Sequence, residues 1–295
     1  MSRYPIHQSG LFRLRSIGQL ARLLRYDSKT LRALSDVGKH YHVWPETDAN
    51  GKERIIEAPQ GQLKVLHRRL VRIVNRIQLP EYLHSGRKKR SYITNAEAHV
   101  SSRTLIKLDI RKFYPSTSTE AFVRGLRDYF ECGVEVADLL GDLCTFEGHI
   151  PTGSPFSMMA AYVALKSRFD RAAAAAKARG NVFTVYVDDM TLSGSLVNNR
   201  DRDLIKSIFK GSGLDLHKFK YYGPTTAKSV TGTILRDGRK HLPNRRHLKI
   251  ATNLALLESL PQGAEKERLY QSVRGQMIEA SQLEPSYAHR LRRIE

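Results

Sequence analysis

The segment Phe183-Thr184-Val185-Tyr186-Val187-Asp188-Asp189-Met190-Thr191-Leu192-Ser193-Gly194 constrains this chain more than any other. Two short runs of β-branched and aromatic residues meet at a pair of acids, the pattern of a hairpin with Asp188 and Asp189 at its turn. Acids at a hairpin turn ordinarily face water and do no chemistry. A second strand-like run, Leu105-Ile106-Lys107-Leu108-Asp109-Ile110-Arg111-Lys112-Phe113-Tyr114, also ends in one acid among bulky residues. A strand bearing Asp109, packed beside the hairpin, would gather three carboxylates from distant parts of the chain. Such groups repel unless a cation lies between them, and oxygen-only ligands suit Mg²⁺ or Mn²⁺. Two ions held this way activate an attacking hydroxyl and stabilise a leaving oxygen in phosphoryl transfer.

The charge balance points the same way. The 295 residues carry a net charge of +20, which predicts a polyanionic partner, nucleic acid first. The length allows two or three subdomains. The two cysteines, Cys132 and Cys144, lack zinc-binding spacing, which fits a reducing cytoplasm. No apolar run reaches the length of a membrane span, and Met1 to His7 lacks a signal core.

Taken in order, residues 11–36 show helical spacing (Leu14, Ile17, Leu20, Leu23, Leu24, Leu31, Leu34) with a break and N-cap at Asp27 to Thr30. Tyr41 to Trp44 and Glu53 to Glu57 read as strands joined by a turn at Asp48-Ala49-Asn50-Gly51. Lys52 and Arg54 are by themselves solvated hairpin charges. Gln62 to Ile77 is an amphipathic helix with a basic face of Lys64, His67, Arg68, Arg69, Arg72 and Arg76, suited in part to backbone phosphates. Arg87-Lys88-Lys89-Arg90 reads as a loop open to polyanion contact. Helices are predicted at Thr119 to Tyr129, Val134 to Thr145, Met158 to Ala178 and Asp203 to Lys210. His149 to Ser157, rich in Pro and Gly, is a shaped loop. Leu214 to Tyr222 reads as turn and strand. From Leu242 the spacing is helical again, with basic residues at Arg245, Arg246, Lys249, Arg274, Arg290, Arg292 and Arg293.

Tyr186-Val187-Asp188-Asp189 resembles the Y-x-D-D signature of reverse transcriptases, and Asp109 with Phe113-Tyr114 resembles their first palm motif. His149-Ile150-Pro151-Thr152-Gly153-Ser154-Pro155 resembles the loop that contacts template and incoming base pair, with Thr152 and Met158 departing from the usual residues. Asn95-Ala96-Glu97-Ala98-His99 and Val230-Thr231-Gly232 resemble the N-A-x-x-H and V-T-G elements of retron reverse transcriptases. The stretch His84-Ser85-Gly86-Arg87 departs from that family's Gly-Phe. The resemblance runs from about Leu20 to Arg293 and leaves no room there for an appended effector domain.

This likeness implies an α+β right-hand polymerase: N-terminal helices and fingers over 1–104, an antiparallel-sheet palm over 105–241 (with fingers-associated helices over 117–150) and a short helical, RNA-binding thumb over 242–295. It implies two Mg²⁺ (or Mn²⁺) held by Asp109, Ile110, Asp188 and Asp189. Arg54, Gly153 and Lys220 would meet the incoming nucleotide, and Tyr114 would reject a 2′-hydroxyl. Asn95, His99, Arg245, Arg246, Lys249, Arg290, Arg292 and Arg293 would contact RNA. The implied activity is RNA-directed DNA synthesis from dNTPs. Part of the enzyme's own structured noncoding RNA would be copied into single-stranded DNA, primed from a guanosine 2′-hydroxyl, in antiphage defence. A separate effector protein, a higher-order assembly and a cytoplasmic location belong to the same expectation. An intron-type or abortive-infection polymerase, or an RNA-binding scaffold with a vestigial site, are the alternative readings.

Overall fold

The strand-like runs of the sequence form three separate antiparallel sheets, and most of the helices pack around one of them. The computed structural model describes residues 3–48, 51 and 53–293; Ala49, Asn50 and Lys52 of the expected turn lie outside these. The N-terminal helices are α1 (Ile17–Leu24) and α2 (Ser28–Leu34). Asp27 caps α2 by accepting from Thr30 N at 2.8 Å, as its sequence predicts. Strands β1 (Tyr41–Thr47) and β2 (Glu53–Pro59) form a two-stranded hairpin that projects from the body. Helix α3 (Gly61–Val74) buries Leu63, Leu66, Leu70 and Val74. The expected basic face loses one member here, because His67 is fully buried. Its Nε2–H donates to Leu143 O at 2.7 Å, and its Nδ1 accepts from the Ser154 hydroxyl at 2.5 Å.

Helix α4 (Tyr92–Glu97) precedes the central strand β3 (Thr104–Ile110). After it come α5 (Thr119–Phe130), α6 (Val134–Cys144) and the long α7 (Ser157–Ala178), all close to their sequence-predicted bounds. Strands β4 (Val182–Tyr186) and β5 (Asp189–Gly194) form the acid-bearing hairpin. Helix α8 (Asn199–Phe209) begins before the predicted Asp203, because Asn198 and Asp201 form a capping box upstream. Strand β6 (Leu216–Tyr222) closes a four-stranded antiparallel sheet in the order β4-β5-β3-β6.

Ile106, Leu108 and Ile110 point from β3 into the main core with α5 and α7. The period of two then puts Lys107 and Asp109 on the opposite, open face. A three-stranded sheet follows, built from β7 (Lys228–Val230), β8 (Thr233–Arg236) and β9 (Arg239–His241). The chain ends in α9 (Asn244–Ser259), α10 (Ala264–Ser281) and α11 (Ser286–Leu291), which bury their own cluster of Leu242, Ile250, Val273, Met277 and Tyr287. Ile93 of α4 belongs to that cluster, so α4 bridges the helical subdomain and the sheet. No helix among the described residues is long and apolar enough to cross a membrane.

Candidate active site

The two acid-bearing segments meet as the sequence predicts. Strands β3 and β5 pair antiparallel with Asp109 opposite Asp189, and Ile110 N donates to Asp188 O at 3.1 Å. The hairpin loop consists of Val187 and Asp188, since Tyr186 pairs with Asp189. Val187 has φ 58°, a left-handed backbone that a β-branched side chain rarely adopts. The buried Ser85 hydroxyl accepts from Val187 N at 3.1 Å and holds this bend. His84 N donates to Val185 O at 3.0 Å, and Val185 N donates to Tyr82 O at 2.8 Å. The stretch that departs from the family's Gly-Phe thus buttresses the outer edge of β4.

Directly opposed acids need compensating charge. Lys107 Nζ reaches Asp189 Oδ2 at 3.3 Å, and Lys218 Nζ reaches Asp109 Oδ2 at 3.3 Å. His217 Nδ1 lies 3.2 Å from Asp109 Oδ1. Lys218 gets there through a β-bulge: the β3–β6 register shifts between Lys107 and Asp109, and Lys218 has φ 51°. Among the described residues Asp188 forms no ion pair of this kind, and the charge of Lys218 offsets only part of its own. Burial raises its pKa above the usual carboxylate range, and the charges of Asp109 and Asp189 add to the rise.

Among the described residues, no three His, Cys, Asp or Glu side chains converge as a ready metal cage. The donor set, carboxylates only, still fits a hard cation such as Mg²⁺. The Ile110 side chain lies in the main core, so only its main chain could face an ion.

Tyr114 stands by this centre. Burial and the neighbouring Asp188 carboxylate push its phenol up to about 12. Phe113 fills the core instead. Arg54 is exposed on β2, 3.5 Å from Asp48. Lys220 is exposed on β6, in register with Lys107, and its ammonium lies 4.9 Å from the Tyr222 ring centroid.

Gly153 packs closely on β2: a Cβ there would lie 2.8 Å from Ile56 Cγ2 and 2.9 Å from Glu57 O. Glu57, which nothing in the sequence singled out, is the joint. Buried on β2, its carboxylate accepts from Thr152 N at 3.1 Å and lies 3.0 Å from His149 Nε2. It fixes the Pro-Gly loop to the projecting hairpin.

The residues expected on RNA divide into two groups. Arg245, Lys249, Arg290, Arg292 and Arg293 are exposed. Arg246 is engaged within the protein, bonded to Tyr92 Oη at 3.0 Å and ion-paired with Glu279. Arg87, from the supposed open charge run, is buried and donates to Pro80 O at 2.6 Å and Leu83 O at 3.1 Å. Asn95 and His99 have no exposed surface to offer RNA. The ring nitrogens of His99 meet Ser193 Oγ at 2.6 Å and Thr184 Oγ1 at 2.7 Å, one on each strand of the acid-bearing hairpin. Asn95 Nδ2 donates to Thr231 Oγ1 at 3.3 Å, so the N-A-x-x-H and V-T-G elements touch. Thr231 and Gly232, with φ 42° and 84°, form the tight turn between β7 and β8.

The chain is similar to known proteins. The chain is 24% identical over 260 residues to the retron Ec86 reverse transcriptase of Escherichia coli, covering 82% of this chain and 81% of that protein. It is 29% identical over 282 residues to the retron Mx65 reverse transcriptase of Myxococcus xanthus (86% and 64%). It is 30% identical over 194 residues to the retron Se72 reverse transcriptase of Salmonella heidelberg strain 579083-10 (64% and 49%). The chain is similar to retron reverse transcriptases over most of its length. Among solved structures, a foamy viral protease–reverse transcriptase in complex with double-stranded DNA aligns with a TM-score of 0.47 at 14% identity, over 82% of this chain and 36% of that one. No family model matches. The open face of the β4-β5-β3-β6 sheet, with its three acids, is the candidate active site.

Proposed function

We propose that this RNA-directed DNA polymerase copies part of its own structured noncoding RNA into single-stranded DNA, primed from a guanosine 2′-hydroxyl, within a cytoplasmic antiphage system. The observation that carries the reading is the register of Asp109 against Asp189, with Asp188 at the adjoining hairpin tip. In this reading residues 1–104 are N-terminal helices and fingers, 105–241 the palm and 242–295 the thumb. Asp109, Asp188 and Asp189, with the main chain of Ile110, would hold two Mg²⁺, which neutralise charge at the reacting phosphate and lower the pKa of the attacking hydroxyl.

The remaining chemistry belongs to the protein. Lys107 and Lys218, ion-paired with Asp189 and Asp109, balance part of the acids' charge. Arg54 and Lys220 offer positive charge to the triphosphate. The Tyr114 ring, beside Asp188, takes the space that a ribose 2′-oxygen would need. The exposed Arg245, Lys249, Arg290, Arg292 and Arg293 supply the RNA surface. A separate effector protein and a higher-order assembly complete the proposed system.

The test is extension of a primed RNA template by the purified chain with dNTPs and Mg²⁺. Asp188→Asn is expected to lower synthesis by orders of magnitude while RNA binding survives. Extension by this variant at the wild-type rate would place the catalytic centre elsewhere. RNA binding by a wild-type chain that makes no DNA on any template would favour the scaffold reading.

A further inference from the structure

Helices α1 and α3, neither of which belongs to the acid-bearing sheet, border a shallow pocket of about 240 Å³. Leu23 and Ile73 give it an apolar wall, and Arg25, Arg69, Arg72 and Arg76 line the rest. Among the described residues no acid lines it. Arg72 and Arg76, four positions apart at the C-terminal end of α3, repel as like charges. Arg25 ends α1 in a left-handed conformation, φ 54°, which favours glycine.

Helix capping explains one of these four arginines. Arg69 donates to Leu24 O and, at 3.2 Å, to Arg25 O, the carbonyls at the end of α1. Its guanidinium also lies 5.2 Å from the Tyr26 ring centroid. These contacts fix Arg69 and use part of its fork of donors. Arg25, Arg72 and Arg76 are exposed around it. Four guanidiniums about one small hollow, with no acid in its lining, are balanced by a bound anion. A planar guanidinium fork matches the oxygens of a phosphate, and the apolar wall leaves room for the edge of a sugar.

We propose that this pocket seats one backbone phosphate of a folded RNA stem, as an anchor separate from the active site. The choice of a structured RNA as the anion rests on the polymerase reading above. A strand being copied must shift past the enzyme at every step. Several guanidiniums closing on one phosphate suit instead a segment that stays in place. Side chains cannot read the deep major groove of an A-form stem, so a stem is held by its shape and backbone.

The test uses the full chain and a blunt RNA hairpin that offers no primer end, titrated at several salt concentrations. Arg72→Gln with Arg76→Gln is expected to weaken binding by roughly tenfold and to reduce the slope of log K against log salt by about 1. Arg22 and Arg68 are exposed on the same two helices but do not line the pocket. Arg22→Gln with Arg68→Gln removes the same charge and is expected to cost about threefold or less. Arg72→Lys with Arg76→Lys should recover only part of the loss, because the charge returns without the fork. Phenylglyoxal labelling, read by peptide mass spectrometry, locates the contact without any catalysis. The hairpin is expected to protect Arg25, Arg72 and Arg76, whether or not inorganic pyrophosphate also does. Equal losses in the two glutamine pairs would reduce the pocket to generic charge and overturn the proposal. So would labelling unchanged by bound hairpin, and protection by pyrophosphate alone would make this a small-anion site instead. Protection by the hairpin on a chain that makes no DNA on any template would count against the polymerase reading and leave the anchor standing.

Discussion

Asn95 and Thr231, 136 positions apart, are hydrogen-bonded at 3.3 Å, which makes the N-A-x-x-H helix and the V-T-G turn one joint. The same Thr231 hydroxyl donates to Tyr92 O at 2.9 Å. Tyr92 accepts from Arg246, which is itself paired with Glu279 of α10. At the other end of the joint His99 holds both strands of the acid-bearing hairpin. The short α4 thus ties the helical C-terminal subdomain to the candidate active site. Thr231→Val keeps the shape but leaves Asn95 Nδ2 and Tyr92 O without this partner. It is expected to cost about 1–3 kcal/mol and to lower DNA synthesis although it touches no acid. Urea unfolding and primer extension of the one variant read both effects. A stability unchanged from wild type would mean that the joint is dispensable.

Three buried histidines make stability depend on pH. Burial pushes His67 and His84 down to about 4 and His99 down to about 3, with Arg90 and Arg87 adding to the fall at His84. Each is neutral in the fold, whereas the unfolded chain takes up a proton near pH 6.5. Their contribution is therefore complete above pH 6.5 and is lost as pH falls from there toward 4. Each histidine contributes a slope of up to about 1.4 kcal/mol per pH unit. The urea midpoint should fall steadily between pH 7 and pH 5, and His99→Gln should make that fall shallower. A midpoint independent of pH across this range would refute the neutral assignment.

Tyr114 separates sugar selection from core packing. Tyr114 is only partly buried at the edge of the core, unlike Phe113, so Tyr114→Ala should cost some stability but leave the chain folded. Discrimination against ribonucleotides is expected to drop by roughly tenfold or more, with some deoxynucleotide incorporation kept. Single-turnover incorporation of dNTP and rNTP measures the ratio. An unchanged ratio would make Tyr114 a packing residue.

The exposed C-terminal arginines can be weighed by salt. Neutralising Arg290, Arg292 and Arg293 together should reduce the slope of log K against log salt by about 2 if all three meet phosphates of unpaired RNA. The cognate RNA should lose more affinity than a random one if these residues meet a defined stem-loop. Titrations of both RNAs at several salt concentrations give the comparison. Equal losses would make the arginines a generic electrostatic surface. Arg246 is left out of this set because its guanidinium is engaged by Tyr92 and Glu279.

Local pattern was enough for much of this protein. The alternation around Asp109, the apolar runs on either side of Asp188-Asp189, the helical spacing of α3, α5 and α7 and the cap at Asp27 all state their own structure. Each depends on a period or a cap written within a few neighbouring residues. The pairing of Asp109 with Asp189 was legible too, because two strand-like runs ending in acids leave few ways to form one sheet. What only the tertiary structure decided concerns polar side chains. Charge and polarity alone send Asn95, His99, Arg87, Arg246 and His67 to the surface or to RNA. Burial is set by what the rest of the chain places around a residue, and a partner 136 positions away leaves no local trace. Glu57 and Lys218 went unmarked for the same reason. A buried carboxylate is satisfied by a loop far along the chain, and a lysine reaches Asp109 through a bulge that exists only once β3 and β6 have paired.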